Sequence, residues 1–261
     1  RKLREDGFEV HNVTLEREVS PAANISGLMQ VIKAVRAFRP DIVHTHASKG
    51  GILGRLAAKL CGVELCFHTP HLWAFSWEKR WFRHHLYRLA EKFAGTMTNE
   101  ILAVSDAQYE QATRAHILPE SRIHVPKNAV EPPPEGIKHS PPSDKWTLGT
   151  AARLMPQKGV DTLIRAFAEF HVKVADSRLL IAGDGPLEED LKAIAARLGV
   201  GDCVEFKGHV EDIYGFFSSL HVFAMPSRWE GYPYTLLEAM SAGVPVIATD
   251  IPGISEALFH E

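Results

Sequence analysis

No stretch of this 261-residue chain reaches the ~18 consecutive apolar residues that a membrane-spanning helix needs. Its opening, RKLREDGFEV, is polar, holds no apolar signal-peptide core and lacks an initiator Met, so the chain is expected to start inside a longer protein. Cysteine is scarce. Cys61, Cys66 and Cys203 make no Cys-x-x-Cys pair and are odd in number, which argues against a disulfide scaffold. Buried, reduced thiols in a cytoplasmic protein are the expectation. A strong excess of one charge is also missing. The net charge of −3 has nothing of the basic footprint of a nucleic-acid binder, so no nucleic-acid partner is expected. Internal repeats and low-complexity tracts are absent. What charge there is divides unevenly: residues 1–142 hold 19 Lys and Arg against 15 Asp and Glu, residues 143–261 hold 10 against 17. The first half therefore suits an anionic surface or acceptor.

What is present is a hydrophobic content of 45%, enough for the core of one large or two ordinary domains. Short runs rich in Val, Ile, Leu and Phe end in Gly, Pro, Ser, Asp or Asn: FEVHNVTL, DIVHTHA, ELCFHTP, ILAVS, RIHVPKN, WTLGTAAR, RLLIAGDG, CVEFKG, HVFAMPS and PVIATD. Strands buried on both faces of a parallel sheet read this way. Between them, sets such as Leu28-Ile32-Val35 and Leu163-Ala166-Phe167-Phe170 recur at helical spacing. This β-α alternation predicts α/β architecture with doubly wound parallel sheets. The segment 131–145, EPPPEGIKHSPPSDK, has five prolines and no apolar period, and reads as a linker. Two Rossmann-like domains follow, over 1–130 and 146–261, with a ligand cleft expected between them.

The densest chemistry follows HVFAMPS. Glu230 sits just past that strand, and Glu238 lies eight residues on, in a helix predicted to start near Pro233. Amides around Tyr234, Thr235 and Leu236, with the positive end of the helix dipole, make an anion site. Gly231 allows close backbone approach. A carboxylate in front of an anion site suits sugar hydroxyls, because it accepts from two at once. Arg153 stands at the end of WTLGTAAR, and Lys158 precedes the next helix, two cations suited to a diphosphate. Gly183 and Gly185 bracket a tight strand-to-helix turn. Gly208-His209-Val210 falls at another strand end, where backbone groups are placed to read a base.

These segments resemble the family-4 retaining glycosyltransferases of the GT-B fold, across nearly all of residues 7–258. The carriers are ARLMPQKG, IAGDGPLEEDL, FKGHV, PSRWEGYPYTLLEAMSAGVPVIATD and, upstream, VHTHASKGGILGRLAA and HTPH. The resemblance implies that Glu238 holds the donor ribose and Glu230 the transferred sugar. It implies that Arg153 and Lys158 bind the diphosphate, and that the backbone of Gly231, Tyr232, Pro233, Tyr234 and Thr235 meets sugar and phosphates. Gly183, His209 and Val210 complete the donor subsite. The family's loop histidine near the transferred sugar falls on His71, with His68 as the alternative. Family members often carry Gly after it, where this chain has Leu72. Catalysis would need no metal and no cofactor beyond the nucleotide sugar.

His44 and His46 alternate on one strand and so face one side. A metal site is conceivable there, but no carboxylate or Cys partner completes it. Phe82, Leu86, Leu89 and Phe93 form a helical stripe read as core. Trp73, Trp77 and Trp81 with the basic residues of 73–92 suit peripheral contact with a membrane or with a lipid-phosphate acceptor. Ser48–Arg55, SKGGILGR, lacks the Gly-Lys-Ser/Thr ending of a phosphate loop and reads as a close-packed helix start.

Against the family, the chain is expected to lack a first strand with its Gly-rich loop, and a last strand with the C-terminal helices, so that both domains are incomplete. The function expected is transfer of a sugar from a UDP- or GDP-linked donor to an acceptor hydroxyl on a sugar or lipid-linked molecule, in polysaccharide or glycolipid synthesis, at the inner face of the membrane. The 261 residues alone are expected to be inactive. The rivals are a non-hydrolysing sugar-nucleotide epimerase and a non-catalytic sugar-nucleotide-binding fragment.

Overall fold

A computed structural model describes residues 2–14, 21–137, 139–142 and 145–259. They form two compact units, residues 1–127 and 128–261. Unit 1 runs α1 (Lys2–Glu5), α2 (Pro21–Phe38), β1 (Ile42–His46), α3 (Ser48–Cys61), β2 (Leu65–Thr69), α4 (Ala74–Trp77), α5 (Trp81–Gly95), β3 (Glu100–Leu102), α6 (Asp106–Arg114) and β4 (Ile123–His124). Unit 2 runs β5 (Trp146–Ala151), α7 (Val160–Lys173), β6 (Ser177–Ala182), α8 (Glu188–Arg197), β7 (Val204–Gly208), α9 (Ile213–Ser218), β8 (Val222–Met225), α10 (Tyr234–Ser241), β9 (Val246–Ala248) and α11 (Pro252–Leu258).

Both sheets are parallel throughout. Unit 1 has the order β1-β2-β3-β4, wound in one direction. Unit 2 has the order β7-β6-β5-β8-β9. Its chain steps outward from β5 to β7, then returns to pair β8 against the other side of β5. The winding thus reverses between β5 and β8.

Of the set expected at helical spacing in α7, Leu163 and Phe167 are buried and Phe170 is half-buried, but Ala166 is exposed and the neighbouring Ile164 is buried instead. Leu163, Ile164 and Phe167 of α7 and Leu191 and Ala195 of α8 are buried against Leu179 and Ile181 of β6. Each Leu, Ile or Phe among them contributes about 1.5–3 kcal/mol on burial. In unit 1, Trp73 and Phe75 are buried with Ile101, Ala112, Ile117 and Ile123.

Nine of the ten expected strands form. The exception is FEVHNVTL: residues 8–14 adopt no regular structure, and Leu15 lies outside the described residues. β1 is bonded only to β2, so no strand pairs with this segment, and Phe8 stays exposed. The stripe read as core is a second correction. Phe82, Leu86, Leu89 and Phe93 do share a face of α5, but all four are exposed, and the buried residues of α5 are Glu91, Ala94 and Gly95. Segment 131–145, read as a linker, lies with unit 2. Tyr214 Oη donates to Glu131 O (2.8 Å), His139 Nε2 bonds Leu220 O (2.6 Å), and Ser140 N donates to Ser218 O (3.1 Å). The three cysteines are free thiols. Cys66 is buried, and burial pushes its thiol up, while Cys61 and Cys203 are only half-buried.

Candidate functional site

A cavity of about 550 Å³ opens in unit 2 where β5, β6 and β7 end. Arg153, Gly183, His209, Val210, Thr235 and Glu238 line it together, although they are spread over more than eighty residues of sequence. Asp184, Glu211 and Ile213 also line it and were not singled out from the sequence. Glu211 follows directly on His209-Val210, so its presence was legible from adjacency alone.

Backbone bonds lace the rim. Leu154 N donates to Asp184 O (2.7 Å), Leu187 N to Leu154 O (3.2 Å) and Gly183 N to Gly208 O (2.6 Å). The loops after β5, β6 and β7 are thereby tied to one another. Gly183 has φ +112°, and a Cβ there would run into the Ala152 carbonyl, so any other residue would push these loops apart. Glu238 projects from α10 into the cavity, and partial burial lifts its carboxyl above the usual carboxylate range.

The helix start differs in one detail from expectation. Pro233 is the N-cap residue, outside the helix, not its first turn. Its carbonyl accepts from Leu236 N (3.2 Å) and Leu237 N (3.4 Å). Leu236's amide is therefore committed, and the amides that the helix start can offer an anion are those of Tyr234 and Thr235. Asn128, missed in the sequence, fixes this turn. Its Nδ2 donates to Tyr232 O (2.7 Å), and Tyr234 Oη donates to its Oδ1 (3.0 Å). Tyr232 itself is buried. Nothing local in the sequence marks Asn128, because it reaches the turn across more than a hundred residues.

Lys158 and Glu230 do not line the cavity. They bond each other, Nζ to Oε1 at 2.6 Å, with side-chain exposures of 22% and 8%. Their loops are zipped together. Arg228 N donates to Gln157 O (2.8 Å), Gln157 Nε2 donates to Trp229 O (2.9 Å), and the Arg228 guanidinium donates to Pro156 O and grips Asp161 (2.7 Å). The Asp161 carboxyl is held below its ordinary range by Arg228, against the upward push of its own burial. Gly159, at φ +63°, passes so close to Pro226 that a Cβ would strike its carbonyl. A cation and a carboxylate are thus held side by side next to the β5–β8 reversal.

In unit 1, the histidines of β1 and β2 part company. His44 and His46 lie on one face, ring centroids 4.2 Å apart. His46 Nδ1 bonds His71 Nε2 at 3.0 Å, and His44 Nε2 bonds Thr69 Oγ1 at 2.9 Å. Burial, with the neighbouring His46, lowers the pKa of both His44 and His71. His71 takes φ +55°, a left-handed conformation that few non-glycine residues adopt. Two contacts hold it: Gln108 Nε2 donates to His71 O, and Trp73 Nε1 donates to Gln108 O (3.0 Å). Gln108 is in place because Ser105 caps α6, accepting from Gln108 N. His68 points elsewhere. It is fully buried, bonds Thr45 Oγ1 (2.9 Å), and burial pushes its pKa down to about 2. Gly51 of α3 lies against its ring, in keeping with a close-packed helix start. Among the described residues no group of three or more His, Cys, Asp or Glu is arranged to hold a metal ion.

Comparison with known proteins covers both units. The profile described as glycosyl transferases group 1 matches residues 135–261, and that described as a glycosyl transferase 4-like domain matches residues 1–129. The chain is 32% identical, over 92% of its length, to UDP-Gal:alpha-D-GlcNAc-diphosphoundecaprenol alpha-1,3-galactosyltransferase of Escherichia coli, and spans 65% of that relative. It is 28% identical, over 96% of its length and 69% of the relative's, to the putative glycosyltransferase EpsD of Bacillus subtilis strain 168. Among solved structures, Anabaena Alr3699/HepE in complex with UDP and glucose superposes with a TM-score of 0.76 at 19% identity, covering 98% of this chain and 71% of that one. This last likeness is one of fold.

Proposed function

We propose that this chain, which belongs to the group 1 glycosyl transferases of the GT-B fold, serves in a retaining transferase that moves a sugar from a UDP- or GDP-linked donor to an acceptor hydroxyl. The observation that carries the proposal is the convergence of Arg153, Gly183, His209, Val210, Thr235 and Glu238 on one cavity at the carboxyl ends of a parallel sheet. In this reading Glu238 accepts from the ribose hydroxyls, the His209-Val210 backbone meets the base, and Arg153 with the α10 start holds the diphosphate. Lys158 is drawn towards the diphosphate when a donor arrives, releasing Glu230 for the sugar hydroxyls. The bond between the sugar's anomeric carbon and the diphosphate oxygen breaks, a bond to the acceptor oxygen forms, and the acceptor hydroxyl's proton passes to the departing diphosphate oxygen. The charge left on the diphosphate is met by fixed cations and amides, so the scheme needs no metal. His71, oriented by His46, stands on the acceptor side.

The E. coli relative's name specifies a UDP-sugar and a diphosphoundecaprenol-linked acceptor. It supports a lipid-linked acceptor here, a role in polysaccharide or glycolipid assembly, and a place at the cytoplasmic face of a membrane touched through α5; Trp73, also expected at that surface, is buried in the core of unit 1. No described helix is long and apolar enough to cross one.

Calorimetry of the complete protein with UDP and with GDP tests the donor reading. One of them should bind in the micromolar range, and Glu238→Ala should weaken it at least tenfold. Equal affinity of wild type and variant would remove Glu238 from the site. Incubating the donor without acceptor separates transfer from epimerisation: sugar epimerised under those conditions would overturn the transferase reading.

A further inference from the structure

The exposed face of α5 combines two features that seldom occur together on a solvated helix. Trp81, Phe82, Leu86, Leu89 and Phe93 are 74%, 69%, 48%, 66% and 59% exposed. At 3.6 residues per turn, Phe82, Leu86, Leu89 and Phe93 fall within an arc of ~60°, lying about 150° around the helix from the buried Glu91 and Ala94. Residues 79–93 also carry five basic side chains, Lys79, Arg80, Arg83, Arg88 and Lys92, against one acid. That acid is Glu91, which is sealed inside against Arg55. Hence α5 itself puts no carboxylate on the solvent side; Glu78, just before the helix, pairs with Arg83 (3.8 Å). Arg83 flanks the apolar arc on one side, Arg88 and Lys92 on the other. Trp81, in the first turn, flanks the arc on the same side of the helix as Lys92, its ring 4.5 Å from that of His85.

We propose that α5 lies in the surface of an anionic lipid bilayer, with Phe82, Leu86, Leu89 and Phe93 among the acyl chains and the flanking cations at the phosphates. Charge chooses this occupant. A soluble protein segment that covered the stripe would have to supply apolar area and several carboxylates at once, whereas an anionic bilayer offers both over its whole surface. Long basic side chains beside an apolar strip can reach outward to headgroups while their stems stay among the apolar residues. A Trp at the rim suits the boundary between the two layers. The excess of Lys and Arg over residues 1–142 acts in the same direction. This deepens the membrane contact of the proposed function but does not depend on transferase activity.

Flotation of the complete protein with vesicles tests it. Binding is expected to phosphatidylcholine vesicles containing phosphatidylglycerol, and to be at least tenfold weaker to phosphatidylcholine alone. Phe82→Ser with Leu89→Ser should weaken binding to the anionic vesicles at least tenfold, and so should Arg83→Glu with Lys92→Glu, which leaves the apolar stripe intact. Lipids brominated in the acyl chain should quench Trp fluorescence in the wild type, with most of that quenching lost in Trp81→Phe. UDP and GDP affinities should be unchanged in all these variants. Absence of vesicle binding at low salt would overturn the proposal. So would undiminished binding by both double variants. If Phe82→Ser with Leu89→Ser instead lowers the melting temperature sharply or changes the oligomeric state, the stripe is covered by protein, and the proposal fails. Loss of nucleotide binding by the wild type with vesicle binding intact would instead refute the transferase reading alone.

Discussion

Two pairs of cation and carboxylate, one in each unit, share a contact distance of 2.6 Å. Arg55 and Glu91, in unit 1, are sealed, with side-chain exposures of 0% and 2%. Lys158 and Glu230, in unit 2, sit at a loop edge, 22% and 8% exposed. The sealed pair is built into the core. Arg55 Nε also donates to Gly51 O, and burial raises the Glu91 pKa even with Arg55 beside it. Neither charge has anywhere else to go. The edge pair is the more open of the two, and in the proposed function it exchanges its partner for the donor. Identical geometry therefore has different uses, and accessibility decides between them. A buried pair fixes how α3 meets α5; an edge pair holds two groups ready.

The contrast breaks most visibly at the sealed pair. Arg55→Met or Glu91→Ala leaves the other charge buried and unpaired, and should lower stability by about 3–5 kcal/mol, read by chemical denaturation. A loss below about 1 kcal/mol would mean that water reaches the site. At the edge pair the effect should fall on function instead. Lys158→Ala in the complete protein should slow transfer about a hundredfold, about 2.7 kcal/mol in the barrier, while its stability falls by about 1 kcal/mol or less. Unchanged turnover would show that the pair is only structural.

Acid should sharpen the distinction. His68, next to Arg55, is held at about 2 in the fold against its ordinary 6.5. The unfolded chain therefore takes up a proton first. The stability contributed by a neutral His68 is complete above pH 6.5 and drains away as pH falls from 6.5 towards 2. Between pH 6.5 and 5 the loss should be about 2 kcal/mol, at about 1.4 kcal/mol per pH unit. Denaturation curves read by the fluorescence of Trp73, whose ring lies 6.0 Å from that of His68, should show it. His68→Asn should flatten that dependence. The smallest effect belongs to the exposed Arg228–Asp161 pair: Arg228→Ala should cost about 0.5–1 kcal/mol and raise KM for the donor more than it lowers kcat, because it slackens the loop that presents Lys158.

How far the sequence could be read differs residue by residue. The β-α rhythm marked nine strands because a parallel strand buried on both faces needs a continuous apolar run, and that run is local. FEVHNVTL has the same appearance and forms no strand, since a strand also needs a neighbour to bond, which no local pattern reveals. Phe82, Leu86, Leu89 and Phe93 have a perfect helical period. Period tells which residues share a face, not what the face meets. Glu91 was passed over as one charge in a basic helix, because its partner Arg55 is thirty-six positions away.

By itself the sequence determined the α/β class, the family resemblance, and the loops that converge on the cavity of unit 2. All of these rest on short-range spacing and on residue types that suit strand ends and helix starts. Only the tertiary structure decided which charges meet. It drew Arg153, His209 and Glu238 to one cavity, paired Lys158 with Glu230, joined His46 to His71 while sealing His68 away, and left the α5 stripe bare. The reason is physical. Hydrogen-bond and ion-pair partners are chosen by distance in space, and in a parallel α/β fold the strand ends that come together are dozens of residues apart in the chain.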